Sequence, residues 1–150
     1  MIAITNRART RGRTGRKIDL RLLEKITAAA LEELKIKEAE LGIVLIGAKE
    51  MALMNEKFLG HEGPTDVITF DYSEKRKQLH GEVFVCVEVA EKQAKEFGTS
   101  RQSEVVRYVV HGILHLMGHD DLQATARKKM KREEGRLVRE LSRRFTLSKL

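Results

Sequence analysis

Cysteine, proline and aromatic residues are all scarce in this chain. Among 150 residues there is one cysteine, one proline and no tryptophan, and aromatic residues make up 5%. A lone cysteine excludes an internal disulfide and fits a reducing compartment. Cys86 lies in the strand-like run GEVFVCVE, where a buried core thiol is expected rather than a ligand or nucleophile. With only Pro64 and no long Gly/Ser linker, nothing marks a boundary, and one domain over residues 1–150 is expected. Scarce aromatics speak against reading nucleic-acid bases by stacking. No apolar run approaches the ~20 residues needed to cross a bilayer. The opening stretch MIAITNRART lacks the apolar segment of a secretory signal. The expectation is a cytoplasmic protein that does not engage a membrane. Oligomeric state leaves no mark in the sequence.

What is plentiful is positive charge. The net charge is +7, and the excess is concentrated near the two ends. Between Arg7 and Lys17 there are six basic residues and no acidic one (Arg7, Arg9, Arg11, Arg13, Arg16, Lys17). From Arg127 to Arg144 there are nine basic residues against three glutamates. Such clustering favours contact with phosphates over a merely solvated surface, so nucleic acid is the expected partner.

Hydrophobic periodicity sets the elements. Ile2–Thr5 reads as a short strand. Asp19 is placed to cap a helix running to about Lys35, with Leu23, Ile26, Ala30 and Leu34 on its apolar face. The run Leu41–Gly47 suits a buried strand. Ala48–Phe58 is helical by composition. Two strands follow, Asp66–Tyr72 and Gly81–Val87, separated by the charged turn SEKRKQLH. Glu88–Phe97 is a helix stopped by Gly98. Ser100 caps the next helix, about Arg101 to Met117. A basic amphipathic helix closes the pattern from about Leu122 to Phe145, with Leu137 and Leu141 facing inward. These predict an α+β (α/β-like) fold, a single mixed sheet of about four strands packed with about five helices.

The run HGILHLMGHDD, from His111 to Asp121, carries the chemistry. It places three histidines and two aspartates within eleven residues. His111 and His115 are four apart, so on a helix both imidazoles project from one face, one turn apart. The surrounding segment VVRYVVHGILHLMG is apolar nearly all round, and two neighbouring imidazoles buried without a partner would be costly. A shared metal removes that cost, since neutral imidazole is a good zinc ligand. Gly118 lets the chain turn back and bring a third ligand from His119 or Asp121. Asp120 is suited to orienting a ligand imidazole. The zinc peptidase signature H-E-x-x-H has its general base at the second position, which here is Gly112, so a peptidase would need a base such as Glu82 or Asp66 from elsewhere.

The run resembles the motif H-G-x-L-H-L-x-G-[HY]-D-H of the YbeY-type rRNA maturation factors, and matches it from His111 through Asp120. Further similarity lies in Asn55, in the block from Pro64 to Phe70 (PTDVITF), and in the Gly81-Glu82 strand opening. The resemblance implies a single-strand-specific, metal-dependent endoribonuclease acting in rRNA maturation, such as 16S rRNA 3′-end processing, with rRNA and the ribosome or its small subunit as partners. It implies zinc held by His111, His115 and Asp121, with His119 as the alternative third ligand; nickel or cobalt would suit the same ligands. His119, Asp120 and Asp66 are the candidates for general acid–base or orienting work. Two positions depart from the family. Asp121 stands where a third histidine is usual, and carboxylate oxygen is an acceptable zinc ligand. Leu59 stands where an arginine tied to phosphate binding or catalysis is common, and Lys57, His61 or the Arg-rich segment are the substitutes to consider. Other readings are a zinc-stabilised RNA- or ribosome-binding factor without catalysis, and a metallopeptidase-like hydrolase.

Overall fold

A computed structural model describes residues 1–9, 16–74 and 78–150. Most of the Arg-rich segment (10–15) and the centre of the SEKRKQLH turn (75–77) lie outside the described residues. The order along the chain is β1 (Ile2–Asn6), α1 (Leu20–Glu33), β2 (Ala39–Ile46), α2 (Ala48–Met54), β3 (Val67–Asp71), β4 (Leu79–Cys86), α3 (Val87–Phe97), α4 (Arg101–Leu116) and α5 (Ala124–Arg144). The strands form one mixed sheet in the order β1-β2-β4-β3. Strands β1, β2 and β4 are mutually parallel, and β3 runs antiparallel to β4. This is the expected α+β architecture.

Alternation along the strands divides the core. Leu41, Ile43 and Leu45 of β2, with Leu79, Val83 and Val85 of β4, face the large core built with α1, α4 and α5. Val44, Ile46, Phe84 and Cys86 point to the other face, where Ile68 and Met51 complete a smaller cluster under α2. Cys86 is buried there, as its strand setting implied.

Local signals account for the helix starts. Asp19 Oδ1 accepts from the Leu22 amide at 3.1 Å and Ser100 Oγ accepts from the Ser103 amide at 3.0 Å, satisfying donors that the first turn leaves free. The helix expected over Ala48–Phe58 instead ends at Met54 and continues as a π-helical turn over Asn55–Leu59. Composition does not separate these two forms, which differ by one residue in backbone hydrogen-bond register: the Gly60 amide reaches back to the Asn55 carbonyl as well as to that of Glu56. Asn55 is buried and its Nδ2 donates to the Gly63 carbonyl at 2.8 Å, pinning the loop before β3.

One close approach fixes α4 on the sheet. A Cβ at Gly112 would lie 2.5 Å from Val83 Cγ1 and 2.9 Å from its Cγ2. Only glycine permits the helix to sit this near β4.

Candidate active site

With the sheet-facing side of α4 fixed by packing, its other side meets α5. There the two helices, the turn between them, α3 and the start of β3 enclose a cavity of about 560 Å³. Asp66, His111 and Asp121 line it, together with Arg107, Tyr108, Arg127, Lys131 and Glu134. Three of the six residues singled out by sequence therefore meet in one place. His115, one turn past His111, is exposed and is not among the lining residues. His119 follows the turn at Gly118, whose φ of 102° belongs to the left-handed region. Asp120 Oδ1 accepts from the Leu122 amide at 3.1 Å, so this carboxylate shapes the turn into α5. Neither His119 nor Asp120 lines the cavity.

The residue that organises the cavity is Glu134. Its Oε1 lies 3.1 Å from His111 Nδ1 and its Oε2 lies 3.5 Å from Arg107 Nη1. One carboxylate thus spans an imidazole and a guanidinium. The bond to Glu134 raises the His111 pKa above the ordinary histidine value, against the opposing effect of burial, and the charges of Glu134, Asp66 and Asp121 add to it. Arg107, His111 and His115 are spaced four apart and form a stripe on α4. Sequence reasoning found two members of that stripe and missed Arg107, although its spacing was a visible signal. Glu134 had no such signal.

Asp66 sits just before β3, where its Oδ1 accepts from the Val67 amide at 2.8 Å and from Thr65 Oγ1 at 3.2 Å. Those bonds hold the carboxylate in place at the cavity wall. Burial pushes the Tyr108 hydroxyl well above its usual range, with Asp66 and Glu104 adding to the shift, and the hydroxyl donates to Gln93 Oε1. Tyr108 is therefore a proton-bearing wall, not a base. Glu82 lies on the opposite sheet face, where it accepts from Tyr72 Oη at 2.8 Å.

The donor types suit a zinc-class ion, with two imidazoles one turn apart and a carboxylate beyond the glycine turn. Their placement here does not gather them. Among the described residues, no three His, Cys, Asp or Glu side chains form a group able to hold a metal ion. The cations at the cavity are Arg107, Arg127 and Lys131. Leu59 is 51% exposed at the end of the π-helical turn and is not a lining residue. Lys57 lies over the Phe58 ring, 5.2 Å from its centroid, and His61 is exposed; neither lines the cavity. Among the described residues no helix is long and apolar enough to cross a membrane.

The comparisons with known proteins cover most of this architecture. The chain is 36% identical over 115 residues to an endoribonuclease YbeY of Elusimicrobium minutum, spanning 74% of this chain and 80% of that protein. It is 31% identical over 130 residues to one of Chlorobium luteolum, spanning 87% and 94%. The solution structure of a Thermotoga maritima protein, 29% identical, superposes with a TM-score of 0.67 and covers 94% of this chain and 89% of that one. A sequence profile described as Endoribonuclease YbeY matches residues 4–142, from within β1 through nearly all of α5. On these matches the chain belongs to the endoribonuclease YbeY family, hydrolases that act on RNA.

Proposed function

We propose that this chain is a metal-dependent endoribonuclease that cuts single-stranded RNA in rRNA maturation. Its expected setting is 16S rRNA 3′-end processing and ribosome biogenesis or quality control in the cytoplasm. The observation that carries this reading is Glu134, bound to His111 by one oxygen and to Arg107 by the other at the wall of the cavity. A carboxylate accepting from Nδ1–H fixes the tautomer of a ligand histidine and leaves Nε2 free to coordinate. His111, His115 and Asp121 would hold zinc, with His119 as the alternative third ligand; nickel or cobalt would fit the same donors. When bound, the metal supplies Lewis-acid stabilisation of charge on phosphoryl oxygens or lowers the pKa of a bound water.

The remaining chemistry belongs to the chain's own side chains. Arg107 is held beside His111, where a guanidinium presents paired donors to a phosphate. Arg127 donates to the Asp121 carbonyl at 3.1 Å and sets a second cation at the same wall. These residues take the part that Leu59 cannot. Asp66 is anchored through Oδ1 and keeps its other oxygen for accepting a proton at the cavity wall. His119 and Asp120 lie in the turn that carries Asp121 and orient it.

The test is metal analysis coupled to RNA cleavage. Purified protein is expected to carry one metal ion per chain, and His115→Ala is expected to lose both the metal and the cutting of single-stranded RNA. Cleavage that survives chelation overturns the reading. One observation favours a second, non-catalytic reading as an RNA- or ribosome-binding factor: Leu59 is exposed and outside the cavity. Tight, salt-sensitive RNA binding without cutting in the metal-loaded protein decides for it. The H-E-x-x-H route of a peptidase has no place for its base, because any side chain at Gly112 runs into Val83.

A further inference from the structure

Helix α5 sorts its charges by flank. Successive residues turn by about 100° around a helix. On that count Glu133 and Glu140 share one flank, where they pair with Arg136 at 2.5 Å and Arg143 at 3.4 Å. Lys128, Arg132 and Arg139 share another, on the side of α5 toward Lys131 and Arg127. All three are exposed, and among the described residues none has an ion-pair partner. Arg127 and Lys131 line the cavity, so the unpaired ridge begins where the cavity opens.

Two details oppose a merely solvated helix face. A helix that only needs solubility alternates signs at i and i+4, whereas Lys128 and Arg132 place like charges there, which is destabilising on its own. At Gly135 a Cβ would lie 3.3 Å from Arg139 Nη1, so the guanidinium folds back along the ridge instead of extending away. The ridge from Lys128 to Arg139 extends roughly 17 Å at 1.5 Å per residue. It carries no aromatic side chain, so it offers charge without base recognition.

We propose that this ridge is a phosphate track, along which an RNA single strand lies on its way to the cavity. The proposal rests on the endoribonuclease reading for its destination. An RNA backbone is the occupant that matches it, being a flexible polyanion with charges repeated along its length. Contact is independent of sequence and weakens with salt as counterions are released.

The test compares two triple variants of the full chain that remove the same charge. One is Lys128→Gln, Arg132→Gln and Arg139→Gln. The other is Lys129→Gln, Arg136→Gln and Arg143→Gln, on the remaining exposed surface of the helix. Binding of a labelled, unstructured single-stranded RNA is measured against salt concentration with chelator present, after thermal melts show that both variants fold. For single strands each lost phosphate contact lowers the log–log salt slope by about 0.7. The ridge variant is expected to lower the slope by about 2 and the control variant by far less. Equal slopes for the two variants, or a ridge variant that binds like wild type, overturn the track. Cutting is scored separately on metal-loaded wild-type protein. If that protein cuts no RNA, the endoribonuclease reading fails, whatever the slopes show.

Discussion

Helix α4 presents two faces with different neighbours. Toward the sheet stand Val105, Val109, Gly112, Ile113 and Leu116, all buried, with Gly112 bringing the backbone against Val83. The other stripe carries Arg107 and His111, which meet Glu134 of α5, and then His115, so it passes from a paired, half-buried guanidinium to an exposed imidazole within three turns. The first face is held by close apolar contact, the second by polar pairs. Fixing one side of the helix so tightly sets the height of the other side against α5, where Glu134 reaches it. The chemistry depends on the packing, while the packing owes nothing to the chemistry.

The largest expected effect comes from breaking the packed face. Gly112→Ala would gain about 0.5–1 kcal/mol from helix propensity. It would also force a methyl group to 2.5 Å from the γ-carbon of a fully buried, β-branched Val83. Overpacking of this kind costs up to about 3 kcal/mol, so a net loss is expected in chemical denaturation. A variant as stable as wild type would show that α4 rides freely on the sheet, and the contrast between its faces would disappear.

Breaking the polar face should strike activity. Glu134→Gln keeps an acceptor for the His111 Nδ1–H but drops the charge that holds Arg107; Glu134→Ala loses both. Loss of a carboxylate behind a ligand histidine typically costs 10–100-fold in metal affinity or activity. The alanine variant is expected near the upper end of that range and the glutamine variant near the lower. Glu133→Gln, one residue away, is expected to change neither metal content nor cleavage. If Glu134→Ala cleaves RNA at the wild-type rate, the bridge between His111 and Arg107 is structural only.

The same contrast explains how much could be read from the sequence. Local patterns were legible: the caps Asp19 and Ser100 start α1 and α4 as expected, and Leu137 and Leu141 face the core. The placement of His111 and His115 on one helix was legible from their spacing, and of these His111 reaches the cavity, as does Asp66 from the family block that contains it. Glu134 was not, because in the run KREEGR it is chemically the twin of Glu133. One residue of helical rotation sends one carboxylate to His111 and the other to Arg136. Only the docking of α5 on α4 distinguishes them. The π-helical turn escaped too, since a one-residue shift in backbone hydrogen bonding leaves no mark in hydrophobic periodicity. The bond from the Leu122 amide to Asp120 was likewise not legible, since it depends on how the chain enters α5.

The smallest expected effect separates those twin glutamates by pH. Arg136 holds the Glu133 carboxyl below the usual carboxylate range, chiefly through its hydrogen bond, with its charge and that of His119 adding to the effect and partial burial opposing it. A carboxylate whose folded pKa is depressed contributes stability that is fully present above the unfolded value of about 4.3. That contribution is lost as pH falls through the lower folded value. Arg136 is nearly half exposed, so solvent screens the pair and the contribution is that of an ordinary helix surface pair, about 0.3–0.5 kcal/mol. Glu133→Gln should therefore cost that amount at neutral pH and nothing once the medium is acidic enough to protonate Glu133 in the folded protein. Denaturant midpoints of metal-free wild type and variant, measured side by side at the two pH values, read the difference. Curves that stay equally separated at both would show that Glu133 acts by its shape, in which case charge does not distinguish this flank of α5 from the cavity side.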